Sequence, residues 1–154
     1  MGFLQDIKFP YFPSRVDTKR PIGSVTLEQF ILSHKKPKKE ILEVFEKIER
    51  AAEEGNIALK DKLKQENLYY FTPSVWLENG RSYDDIEYFN PLMVAEFDKI
   101  DFAEELKQYI FHKVDSCVCA YLSPSRTGVK FLFRIPVVNS VDEYKEYFCG
   151  LGYY

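Results

Sequence analysis

The sequence has no apolar run long enough to span a bilayer and no basic-then-apolar leader, so a soluble cytoplasmic protein is expected. Cysteine is scarce and odd in number: Cys117, Cys119 and Cys149 make no disulfide framework and read as reduced thiols. Cys117 and Cys119, two apart in a strand-like stretch, are expected to share a face. With His112 near them a zinc site is conceivable, but the spacing fits no common zinc motif and buried thiols are the preferred reading. Excess positive charge is also missing: a formal net charge of −3 excludes coating of nucleic acid by bulk electrostatics and leaves only a local basic patch. What the chain does have is rings, 13 Phe and 11 Tyr, enough for a core and for stacking on bases. At 154 residues, 45% apolar and 29% charged, it suits one globular domain.

Residues 1–24, with Pro10, Pro13, Pro21 and Gly23 among aromatics, read as an irregular arm. Ser24 or Thr26 can cap a short helix through Ser33, and Lys35-Lys-Pro-Lys-Lys39 interrupts it as a solvated basic turn. Ile41, Leu42, Val44, Phe45 and Ile48 recur at helical spacing between Lys38 and Glu54, with Gly55-Asn56 as the stop. A second helix is expected over 57–66, strand-like residues over Leu68–Thr72, and a hairpin or loops around Pro73 and Asn79-Gly80. The second half reads as strand Leu92–Phe97, helix Phe102–His112, strand Val114–Leu122, a Ser-Pro turn, strand Val129–Val138 and a helix from about Val141 to Phe148. This order, β-α-β-turn-β-α, predicts an α+β sheet with helices on one side.

Two constellations carry chemistry. In Val94-Ala-Glu-Phe-Asp-Lys-Ile-Asp101, strand alternation points Glu96 and Asp98 the same way. Paired carboxylates need solvent, a basic partner or a metal ion, and hard cations such as Mg²⁺ take such oxygen ligands beside a triphosphate. The turn Ser123-Pro-Ser-Arg-Thr-Gly-Val-Lys130 offers hydroxyls and backbone N–H groups to phosphate oxygens, with Gly128 permitting close approach and Lys130 and Arg134 adding charge on one strand face. Taken by itself, it is also an ordinary hairpin turn.

In sequence order, Glu96-Phe-Asp98, one helix and then the Ser123–Lys130 turn resemble the catalytic core of the archaeo-eukaryotic primase superfamily, in particular phage and plasmid primase-polymerases and the VirE-type N-terminal domain. Leu68-Tyr-Tyr-Phe-Thr-Pro-Ser74 and the helix pair before it are similar to the VirE-type branch. The resemblance implies a primase-polymerase-like (RRM-like) mixed sheet with helices packed on one side and an N-terminal helical segment. It spans residues 25–154, and the absence of a matching third acid suggests truncation at the C-terminal end. Asp142 and Glu143 read instead as charges at a helix start.

The activity implied is DNA primase or polymerase-like nucleotidyl transfer in the replication of a phage or mobile element in a bacterial cell. Glu96 and Asp98 would hold Mg²⁺ or Mn²⁺, with Lys130 as the third catalytic residue. Ser123, Ser125, Arg126, Gly128, Lys130 and Arg134 would bind the nucleotide. Nucleoside triphosphates, a single-stranded or primed DNA template and a helicase would be the partners, with no membrane. Arg126 stands where the family has a turn glycine, so the turn takes another path or turns Arg126 onto phosphate. The alternatives are an inactive nucleic-acid-binding module, with exposed rings such as Tyr121 or Phe133 stacking bases, and a phage structural or interaction domain.

Overall fold

Thr26 opens the first long helix by a reciprocal cap: its hydroxyl accepts from the Gln29 backbone N–H while the Gln29 side chain accepts from the Thr26 N–H. Such local signals place most elements of the computed structural model, which describes residues 2–151. In chain order these are α1 (Phe3–Asp6), β1 (Lys8–Phe12), β2 (Gly23–Thr26), α2 (Leu27–Lys35), α3 (Lys39–Glu53), α4 (Ile57–Asn67), β3 (Tyr70–Phe71), β4 (Val75–Leu77), β5 (Ile86–Phe89), β6 (Leu92–Phe97), α5 (Ala103–Lys113), β7 (Cys117–Leu122), β8 (Val129–Arg134) and α6 (Val141–Leu151). The fold is α+β, with six helices and three small sheets ordered β2-β1-β3, β4-β5 and β6-β8-β7 among the described residues. Every pairing is antiparallel rather than mixed as expected; β1–β2, β4–β5 and β7–β8 join strands consecutive in the chain, while β3 returns to β1 after three helices and β8 inserts between β6 and β7.

The expected irregular arm holds order from Phe3 to Phe12. β1 is the middle strand of its sheet, and Phe9 and Phe12 are fully buried. Pro10 looks like a strand breaker, yet it removes only one donor, and its carbonyl accepts from the Thr72 N–H. Phe9 packs with Leu27, Phe30, Leu92, Cys119 and Leu132, so this N-terminal segment covers one face of the β6-β8-β7 sheet. Helix α5 covers the other, where Phe131, Phe133 and Val129 meet Leu106 and Ile110. The sheet therefore has cover on both faces, against the expectation of helices on one side. Leu132, between Lys130 and Arg134 on the same face of β8, is core.

The two strand cysteines do not share a face. The β7–β8 register shifts between Cys117 and Cys119, so Cys117 packs under α5 and Cys119 packs against the N-terminal cluster. Burial pushes both thiols above their ordinary pKa, Cys119 to about 12.

Candidate functional site

The Phe97 end of β6 is where polar groups gather. The β6–β8 register sets Glu96 opposite Lys130, and their side chains form an ion pair of 3.1 Å. Tyr121 of β7 stands on the far side of Lys130 in the same row. Asp98 follows as β6 ends, and its carboxylate lies against Gly128: a methyl group built there would meet Asp98 Oδ1 and the Phe97 carbonyl at 2.8 Å. Glycine at 128 is thus needed for the close approach of the turn to the end of β6, a packing role distinct from the approach to phosphate expected of it.

The turn between β7 and β8 is held from inside. The Ser123 Oγ accepts from the Gly128 N–H at 3.1 Å, and the Ser123, Ser125 and Thr127 hydroxyls run in a hydrogen-bonded series at 3.2 and 3.0 Å. Ser123 and Ser125 are buried, so their hydroxyls brace the turn, and its outer surface is Arg126 and Thr127. Arg126 takes φ 59°, the left-handed conformation that glycine adopts freely, and its guanidinium reaches Glu49 of α3 at 3.6 Å. Lys99, just after Asp98, also lies at positive φ, and the next residue's N–H donates to the Thr127 carbonyl. Two strained non-glycine residues thus flank the carboxylates, a pattern found where a site fixes its own geometry.

Arg134 is not brought to this end. It sits four residues along β8 from Lys130, about 13 Å at the rise of a strand, with its guanidinium 4.4 Å from the centre of the Phe3 ring. Alternation put it on the right face but could not put it near. The proposed stacking rings fail for a similar reason: Phe133 is buried under α5, and Tyr121 is wedged beside Phe30 and His34 at 5.6 and 4.4 Å. Burial raises the Tyr121 phenol far above its usual pKa, and the nearby Glu96 charge adds to it.

Lys64 of α4 joins the group without having been expected. Burial holds its ammonium below the usual lysine pKa, neighbouring Lys60 and Lys130 act in the same sense, and Asp98 opposes them. Asp61 of the same helix also opposes them, so the site proper is Glu96, Asp98 and Lys130, with Lys64 a half-buried cation whose charge is felt there. Nothing in the alternating lysines of α4 marks Lys64; only the fold selects it. The described residues hold no group of three or more His, Cys, Asp or Glu side chains able to bind a metal by themselves. Glu96 and Asp98 suit a cation whose remaining ligands come from water and substrate phosphates, the usual situation for Mg²⁺.

A family model, that of the BT4734-like N-terminal domain, matches residues 62–147, more than half of the chain. The chain belongs to the BT4734-like N-terminal domain family. This corrects the resemblance drawn from the motifs: the matching family is a different one from the archaeo-eukaryotic primase superfamily and its VirE-type branch. An acidic strand end and a Ser-Pro-Ser turn are short patterns that unrelated sheets can carry. Compared with curated proteins and with solved structures, the chain matches none. The matched part of this BT4734-like domain contains Lys64, Glu96, Asp98 and the whole Ser123–Lys130 turn. No helix of the described residues is long and apolar enough to cross a membrane.

Proposed function

We propose that this domain binds a nucleoside triphosphate with Mg²⁺ or Mn²⁺ at the Phe97 end of β6, and that its reaction class is nucleotidyl transfer in DNA strand synthesis within the bacterial cytoplasm. The observation that carries the reading is the gathering of charge at one strand end, where Glu96 pairs with Lys130 at 3.1 Å and the Asp98 carboxylate lies against the turn backbone at Gly128. The β-α-β-β-α order with strands β6-β8-β7 supports an RRM-like core as its frame.

In this reading Glu96 and Asp98 are the protein's ligands to the cation, which supplies charge neutralisation at the phosphates. Lys130 leaves Glu96 for a phosphate oxygen, so ligand charge replaces the internal ion pair. Lys64 reaches the same phosphates from α4, and their negative charge returns its pKa toward the normal lysine value. Arg126 and Thr127, on the outer surface of the turn, remain for the sugar or template side. Catalysis would rest on positioning and fixed charge.

A second reading, nucleic-acid binding without catalysis, is favoured by one observation: two carboxylates stand at the site without a third acidic ligand among the described residues. Calorimetry decides between them. A triphosphate titrated with Mg²⁺ is expected to bind the wild-type domain, to lose binding with chelator, and to bind Asp98→Asn about tenfold or more weakly, the worth of one charged contact. Failure to bind, or equal binding without metal and in the variant, overturns the metal-nucleotide site.

A further inference from the structure

The turn between α2 and α3 packs four lysines into five positions, Lys35-Lys36-Pro37-Lys38-Lys39, in a chain whose net charge is negative. All four are exposed. Lys39 makes a long ion pair with Glu43, while Lys35, Lys36 and Lys38 take part in no ion pair among the described residues. Lys35 and Lys36 stand at the end of α2, where a helix favours cations, but Lys38 and Lys39 stand at the start of α3, where it disfavours them, so helix stability does not account for the whole run. The turn is also fixed in place: the ring of His34, just before it, packs at a tilt against Tyr121 with centroids 4.4 Å apart, and Tyr121 is the register partner of Lys130. The basic run thus lies next to the row that holds the Glu96–Lys130 pair.

Rings continue from the same point. His34 contacts Phe30 at 4.3 Å, Phe30 meets Phe71 at 5.1 Å, Phe71 meets Tyr11 at 5.5 Å, and Tyr11 meets Tyr69 at 5.1 Å. The middle of this series is core, but its two ends, His34 and Tyr69, are exposed. Unpaired cations next to one accessible ring, with a second exposed ring four ring contacts farther on, are the chemistry that binds a single strand, phosphates on the lysines and bases on the rings. A duplex keeps its bases stacked and an anionic lipid surface has no bases, so the rings favour neither.

We infer that Lys35, Lys36 and Lys38, with His34 and Tyr69, form a docking surface for single-stranded nucleic acid. That the surface delivers the strand to Glu96 and Asp98 rests on the proposed nucleotide site; its affinity for the strand does not.

Fluorescence anisotropy with a labelled oligothymidylate in chelator, over a range of salt concentrations, tests the surface apart from the nucleotide site. The wild type is expected to bind with an affinity that falls as salt rises. Lys35→Gln/Lys36→Gln/Lys38→Gln should weaken binding about tenfold or more and flatten the log–log salt slope by about 2, near 0.7 per lost contact on a single strand. His34→Ala and Tyr69→Ala should weaken binding with the slope unchanged, and Mg²⁺-triphosphate calorimetry on the triple variant should match wild type. An unaltered triple variant, no oligonucleotide binding, or equal binding to a duplex or to anionic vesicles overturns the inference. Loss of oligonucleotide binding in the triple variant supports the surface even if the triphosphate fails to bind.

Discussion

The two ends of strands β6 and β8 are built from the same pairing and do opposite things. At the Leu92 end Leu92, Met93 and Leu132 are fully buried, Phe133 packs on α5's side with Phe131 of the middle rungs, and Arg134 is folded over the Phe3 ring. At the Phe97 end Glu96, Phe97 and Asp98 are exposed, Lys130 is held by an ion pair, and the turn backbone at Arg126 is strained. One end is a packing device and the other an arrangement of charge. Stability should therefore respond to changes toward the core, and ligand binding to changes at the carboxylates.

The largest expected effect sharpens that contrast. Phe131→Ala opens a cavity between β8 and α5 and should cost about 3–5 kcal/mol in chemical denaturation. Gly128→Ala lies on the boundary: its methyl would press on the Phe97 carbonyl and the Asp98 carboxylate, so a loss of about 1–3 kcal/mol is expected together with weakened triphosphate binding. Lys64→Met should leave the denaturation midpoint nearly unchanged while reducing triphosphate affinity about tenfold, since it removes one charged contact and keeps the stem.

The smallest effect is one of pH. His34 is exposed as a residue, yet the packing of its ring against Phe30 and Tyr121 desolvates the imidazole in part and lowers its pKa below 6.5. The unfolded chain then takes up this proton more readily, so the stability the neutral ring contributes is present above pH 6.5 and falls away as the pH drops below it. His34→Phe, which keeps a ring and removes the titration, should show a shallower drop in Tm between neutral and mildly acidic buffer. An unchanged drop would place the effect in other groups.

Part of the fold is legible in the sequence itself. Thr26, one of two cap candidates, the helical spacing of Ile41 to Ile48 and the apolar run at Leu92 mark their elements because local chemistry and tertiary position agree there. β1 was hidden because proline and aromatics look like an arm until the middle strand around Phe9 is seen to need no more than a few ladder bonds. The face shared by Cys117 and Cys119 was misjudged because a bulge resets alternation, and no residue in Cys-Val-Cys announces a bulge. Arg134 was misplaced because alternation reports a face but not a distance along it. Lys64 was missed because convergence of residues distant in sequence is a property of the fold alone.

The central claim, that the Phe97 end of β6 holds a metal ion beside phosphates, is tested most directly by NMR. Mn²⁺ added with a nucleoside triphosphate broadens amide signals near the ion. Broadening confined to residues around Glu96–Asp98, the Ser123–Lys130 turn and Lys64, and abolished in Asp98→Asn, is the predicted result. Broadening elsewhere in the domain, or the same pattern in the variant, would contradict it.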